Sequence, residues 1–209
     1  MIKELEYHAA RDLHEALALA AQFGPHKRLM TGGTDVMVRL KEGLIKEGVI
    51  VDLSRVPELR SIREDAGVVH VGAAASHADV SSSEIVQLHG RALAMAAASV
   101  GGPQIRNMGT IGGNVANASP AGDTIPALIV LDAIVTLASM EGTRQVPIID
   151  FFTGPGRSVL KPDELVTEVA FRATGASEVT GFGKLGSRQA MTISTANVAV
   201  YFKRSENGR

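Results

Sequence analysis

The chain has 209 residues, 45% of them hydrophobic, enough to bury a substantial core as one large domain or two small ones. Its formal net charge of -1 leaves no basic excess for a phosphate backbone, so no nucleic-acid partner is expected. With no cysteine, the chain carries no disulfide, no iron–sulfur cluster and no thiolate zinc site, and any redox centre has to be a bound cofactor.

The N-terminal stretch MIKELEYHAARDL has acidic residues and no long apolar run, which predicts neither a signal peptide nor a membrane anchor. No transmembrane run follows, and a cytoplasmic location is expected. Ile2, Leu5 and Tyr7 are expected on the apolar side of a short extended segment. Leu13, Ala16, Leu17 and Ala20 then fall on one helix face, and Gly24-Pro25 ends that helix. His8, His14 and His26 have no partner at ligand spacing and read as surface or cap residues, so no metal site is expected.

In KRLMTGGTDVMVRLKEG, Leu29 and Met30 end a short strand that runs into Gly32-Gly33, Thr34 and Asp35, followed by Val36, Val38 and Leu40. Strand, glycine turn and helix place backbone N–H groups where an anionic ligand can sit. The plainer alternative is a simple turn with Asp35 as a helix cap. A strand at Val49, Ile50, Val51 and Leu53 completes a β-α-β-α-β order that favours a small parallel sheet.

From Val56 the pattern changes and a second lobe is expected. Val68, Val69 and Val71 form a short strand. Ser76 and Asp79 read as a capping box, and His77 is expected to face solvent in preference to a ligand. Val80–His89 reads as a partly exposed helix and Ala92–Val100 as a buried one. Arg106–Asp123, RNMGTIGGNVANASPAGD, reads as a long loop anchored at both ends, which is more often a binding loop than a slack connector. Gly109, Gly112 and Gly113 allow several N–H groups to point into one concavity that suits a phosphate. Thr110 and Asn114 can add side-chain hydrogen bonds, and Asp123 can hold a sugar or ribityl hydroxyl. The alternative is a glycine-rich turn whose Asp serves a cap or a surface. Further on, Ala127–Ile129 suits a short turn or helix, while Ala133–Leu137 and Leu165–Phe171 suit strands. Short turns between them imply antiparallel pairing. Lys184 and Arg188 lie on a glycine-punctuated segment before an alternating strand, Asn197–Phe202.

TGGTD at Thr31–Asp35 and TIGGN at Thr110–Asn114, with RN before the second and ASPAGD after it, resemble the FAD-binding medium subunit of the molybdenum hydroxylases of the carbon monoxide dehydrogenase and xanthine dehydrogenase type. DELVTEV and the Lys-Leu-x-x-Arg pattern at Lys184–Arg188 extend the resemblance over essentially the whole chain. It implies an α+β fold, the two-lobed FAD-binding domain of the vanillyl-alcohol oxidase (PCMH) type. A small βα lobe would span residues 1–55, a larger antiparallel-sheet lobe 56–175, and an incomplete C-terminal domain would begin at 176–209. The strand at Asn197–Phe202 would then need another partner.

The same resemblance assigns Leu29, Met30, Thr31, Gly32, Gly33, Thr34, Asp35 and Val36, with Thr110, Ile111, Gly112, Gly113 and Asn114, to two phosphate-contacting loops. Asp123 would bind ribityl or ribose hydroxyls, Leu165 and Lys184 would lie near the adenine or isoalloxazine, and Ile111 would pack against the flavin. Val100 stands where some relatives place an aromatic. The family passes electrons from a molybdenum-cofactor subunit through a 2Fe-2S subunit to FAD, then to NAD or another acceptor. No catalytic acid or base is nominated in this chain, because the cofactor carries the chemistry. Two other readings are a stand-alone flavin oxidoreductase and a non-catalytic nucleotide-binding scaffold.

Overall fold

The computed structural model describes residues 5–188 and 191–204. The chain opens with β1 (Leu5–Ala9), α1 (Leu13–Phe23), β2 (Lys27–Met30), α2 (Val36–Lys41) and β3 (Gly48–Asp52). Asp12 starts α1 by accepting a 2.8 Å bond from the Glu15 N–H, and Gly24, at φ +47°, stops it. The strands pair in parallel in the order β1-β3-β2. β3 lies in the middle, and its Val49, Ile50 and Val51 are all buried, as a central parallel strand requires. Ala16 and Ala20 of α1 pack on this sheet, and the core is completed by Leu53, Val56, Leu59, Ala74 and Leu165. Tyr7 departs from its expected apolar role: it is exposed, and its hydroxyl donates to the Asp52 carboxylate. Ile2, assigned to the same apolar side, lies outside the described residues.

β4 (Ile62–Asp65) and β5 (Val68–Gly72) follow, then six short helices: α3 (His77–Ser82), α4 (Glu84–His89), α5 (Arg91–Ser99), α6 (Pro103–Met108), α7 (Ile111–Asn117) and α8 (Thr124–Val130). After them come β6 (Ile134–Ser139), β7 (Gly142–Pro147), α9 (Ile148–Phe151), the small hairpin β8 (Phe152–Gly154) and β9 (Arg157–Ser158), and β10 (Leu165–Arg172). The second sheet is antiparallel, in the order β4-β5-β10-β6-β7. Val69 and Val71 of β5, Val135 and Leu137 of β6 and Val169 and Phe171 of β10 meet Leu93, Ile111 and Leu128 from the helices in one core. Each such side chain contributes about 1.5–3 kcal/mol through its burial.

β11 (Glu178–Gly186) and β12 (Ser194–Lys203) form a separate antiparallel hairpin. The buried Thr180 hydroxyl accepts the Ala92 N–H at 3.0 Å, which fastens β11 to the start of α5. The strand expected to lack a partner therefore has one, with Val179 opposite Phe202 and Lys184 opposite Asn197.

The largest correction concerns Arg106–Asp123. It is not one long loop: Arg106 to Met108 finish α6 and Ile111–Asn117 form α7, and only the turns at 109–110 and 118–123 are irregular. The glycines of TIGGN have poor helix propensity. Two contacts overcome it: Thr110 caps the helix by accepting the Gly113 N–H at 3.2 Å, and its first turn is bonded to the chain beyond β5.

Candidate functional site

β2 delivers Met30 to the edge of the small sheet, and the chain turns through Thr31-Gly32-Gly33-Thr34-Asp35 into α2. Gly33 takes φ +71°, a left-handed conformation that suits a residue with no Cβ. Among the described residues, no protein acceptor is found for the backbone N–H groups of Thr31 through Val36. Six successive donors without a protein acceptor, around a left-handed glycine on the cavity lining, are the kind of main chain that can bind an anion as a nest.

The second glycine segment lies against the first. A Cβ on Gly32 would stand 1.6 Å from the Met108 carbonyl oxygen, so main chain rests directly on main chain. On the far side, Ile111 N–H donates to Ala75 O at 3.0 Å and Gly112 N–H to Ala73 O at 2.9 Å. A Cβ on Gly112 would meet Ala73 Cβ at 2.4 Å, which is why that position has none. Gly109 N–H donates to Ile105 O and Asn114 N–H to Thr110 O. Contrary to the concavity expected at Gly109, Gly112 and Gly113, the N–H groups here are spent on protein acceptors. Gly112, like Gly32, permits close packing of main chain, whereas the left-handed Gly33 leaves neighbouring donors free. Asp35 and Asn117 tie the two segments, with Asn117 Nδ2 donating to Asp35 Oδ1 at 3.2 Å and Arg39 donating to Asn117 Oδ1 at 2.6 Å.

Between the segments lies a cavity of about 380 Å³, within the range of small-molecule sites. Leu29 to Val36, Val100, Thr110, Gly112, Gly113 and Asn114 line it, so thirteen of the seventeen residues singled out from sequence converge there. Its charged lining is Arg28, Arg39 and Asp35, a balance that favours an anion. Asn114 Oδ1 accepts from the Thr124 hydroxyl at 2.7 Å, which leaves its Nδ2 without a protein partner among the described residues.

Four residues lie elsewhere. Ile111 and Leu165 are wholly buried, one in each core. Asp123 and Lys184 form a buried ion pair at 2.6 Å, and neither lines the cavity. Asp123 also accepts from Ser194 Oγ at 2.5 Å and Asn197 Nδ2 at 3.4 Å, while Lys184 donates to Ser99 O at 3.1 Å. The pair clamps the β11–β12 hairpin to the start of α8.

His77 reverses an expectation. Ser76 caps α3 in a capping box with Asp79, as the sequence suggests, but this turns His77 inward onto the cavity wall, 2% exposed. Burial pushes its pKa down to about 4; Asp123 opposes that and Arg106 adds to it. The ring is therefore neutral at pH 7. Sequence reasoning also passed over Ala73, Ala74 and Asn117, which line the cavity. The signal for the first two was the small-residue run GAAAS before the cap, which calls for another main chain lying against it.

A cradle of unpaired N–H donors beside a weakly cationic cavity fits a diphosphate-bearing cofactor. A small parallel βα lobe next to an antiparallel sheet with helices is an α+β fold of the two-lobed, flavin-nucleotide-binding kind. A family model described as the FAD binding domain in molybdopterin dehydrogenase matches residues 3–171. The chain belongs to that family: it is an oxidoreductase subunit, and its cofactor is FAD.

The chain is 36% identical over 211 residues to the FAD-subunit of nicotinate dehydrogenase from Eubacterium barkeri, covering 99% of this chain and 71% of that one. It is 35% identical to the carbon monoxide dehydrogenase medium chain of Hydrogenophaga pseudoflava, covering 97% and 70%. A solved structure of the carbon monoxide dehydrogenase from that organism superposes with a TM-score of 0.94 at 34% identity, over 98% of this chain and 71% of that chain. Quinoline 2-oxidoreductase from Pseudomonas putida 86 gives 0.85 at 26% identity, over 92% and 67%.

Proposed function

We propose that this chain is the flavin-carrying electron-transfer subunit of a molybdenum hydroxylase complex, taking electrons from iron–sulfur clusters on a partner subunit and delivering them to NAD or another acceptor. The single observation that carries the reading is the run of six N–H groups from Thr31 to Val36, on the lining of the cavity, that have no protein acceptor among the described residues. FAD, when bound, supplies the chemistry of accepting and releasing electrons.

The chain's own part is to bind, orient and shield. The N–H groups of Thr31 to Val36 would hold the diphosphate, with the Thr31 and Thr34 hydroxyls and Asn114 Nδ2 beside them. Thr110, Gly112 and Gly113 would set the opposite wall, with Ile111 contributing only through the core packing of α7, which Ala73 and Ala75 hold in place. Asp123 and Lys184 would contribute at the adenine or flavin end together with Val100, while Leu165, wholly buried, would act there only through the packing of its core. Because Asp123 and Lys184 already bond each other, they would first have to exchange that contact for one with the ligand. The absence of cysteine supports dependence on a cluster-bearing subunit. The division into lobes 1–55 and 56–175, with a third region from 176, and a cytoplasmic location belong to this proposal. Among the described residues no helix is long and apolar enough to cross a membrane.

The test is the visible spectrum of the purified chain, alone and after incubation with FAD, where bound oxidised flavin absorbs near about 450 nm. Gly33→Val, which forces a branched side chain into a left-handed position, is expected to abolish that band in a folded protein. Co-expression with molybdenum and iron–sulfur subunits, followed by reduction of the flavin with the complex's substrate, tests the electron path. A chain that purifies without flavin and takes none up refutes the reading.

A further inference from the structure

Among the described residues, one buried side-chain nitrogen or oxygen has no hydrogen-bond partner: Nδ1 of His77. Among the described residues the other ring nitrogen makes no hydrogen bond either, so the ring has no protein partner, although burying a polar atom such as Nδ1 without one costs free energy. Its position is not an accident of a loose side chain. The main chain on both sides is fixed, by the Ser76–Asp79 capping box and by the His77 N–H donating to Gly109 O at 2.9 Å.

The ring also lies beside the cradle. A Cβ on Gly109 would stand 3.2 Å from His77 Cδ2 and 3.4 Å from Thr34 Oγ1, so the imidazole edge and the Thr34 hydroxyl flank the same glycine. Both belong to the cavity wall.

We propose that His77 is a ligand-binding residue of this cavity, its ring N–H donating to an anionic oxygen of the diphosphate bridge of the bound dinucleotide. This rests on the FAD reading above and adds a side chain that neither glycine segment contains. A neutral imidazole has one donor and one acceptor, so it serves an anion as a hydrogen bond, without a fixed charge. The arriving diphosphate then makes the second ring proton favourable. Asp123 and Arg106, the charged groups acting on the ring from neighbouring elements, oppose each other, and Asp79 on its own helix is engaged by Ser76. Arg28, Arg39 and Asp35 are the charges on the cavity side.

The experiment uses the full 209-residue chain with FAD and with ADP as separate probes. Affinities are read by flavin fluorescence and calorimetry for wild type, His77→Ala and His77→Asn, and the His77 ring is titrated by NMR with and without each probe. The expected result is that alanine weakens both probes about tenfold or more. Asparagine, which keeps an N–H donor, recovers most of that loss, and the ring pKa of the wild type rises on binding. If wild type binds FAD and alanine binds it equally well, or the ring titrates identically in the complex, this inference fails and the FAD reading stands. Weakening of FAD without weakening of ADP overturns the assignment to the diphosphate. A wild type that binds neither probe overturns both readings. Because the ring titration needs only the wild type, misfolding of the alanine variant leaves the question answerable.

Discussion

Gly32→Ala probes the contact on which the cavity depends. The new Cβ would sit 1.6 Å from Met108 O and 2.3 Å from its carbonyl carbon, whereas real Cβ contacts stay above 3.0 Å. Backbone strain at position 32 does not contribute, because its φ is not positive. The second segment has little freedom to retreat, since Gly109 N–H is bonded to Ile105 O and Gly109 O accepts from His77 N–H. The first segment must therefore move, and with it the N–H groups of Thr31 to Val36. Overpacking of this kind costs about 1–3 kcal/mol, and a backbone atom that cannot rotate away puts this case at the upper end. For a chain of this size about 3 kcal/mol lowers Tm by about 6–12 °C. FAD affinity is expected to fall more than tenfold in protein that still folds. Gly175→Ala is the control: its Cβ would lie 3.7 Å from Glu178 Oε2, in ordinary contact, and stability should change by less than about 0.5 kcal/mol. Urea denaturation and flavin-fluorescence titration read the two effects. Were Gly32→Ala as stable as wild type and equally tight for FAD, the two glycine segments would not be apposed as described.

Asp123→Asn leaves the Lys184 ammonium buried without its counter-charge and should cost about 3–5 kcal/mol, measured by chemical denaturation. The double variant with Lys184→Met should lose less than the two single changes together, because no lone charge remains. The pH dependence of stability has a definite sign. His77 has a folded pKa near 4 against an unfolded value of 6.5, so the unfolded chain binds the extra proton. Stability should be flat above pH 6.5, fall as pH drops through 6.5 towards 4, and lose about 3 kcal/mol by the end of that window. Glu164, held below the usual carboxylate range by its hydrogen bonds from Arg144, adds a further loss in more acidic solution. His77→Asn should flatten the window above pH 4, which urea denaturation at a series of pH values would check. Saturating FAD should raise Tm in proportion to the logarithm of its concentration, and a Tm independent of FAD would contradict a native-state site.

Much of the architecture could be read along the chain, because local chemistry decided it. The period of Leu13, Ala16, Leu17 and Ala20 set α1, Gly24 ended it, the valines of β5 and the DELVTEV run of β10 specified central strands, and Ser76 with Asp79 announced α3. The two glycine segments were legible as a pair because their residue types are unusual and their flanks distinctive. What stayed hidden depended on partners distant in sequence. TIGGN is a weak helix former, and it is helical because Ala73 and Ala75 accept its first N–H groups. Lys184 chooses Asp123 across 61 positions of chain. His77 is buried because a cap several elements away from both glycine segments turns it towards them. The division of labour between Gly33, which frees donors, and Gly112, which admits a neighbouring backbone, is invisible in residue type. A glycine's role is set by what occupies the space its missing side chain leaves, and only the folded chain fills that space.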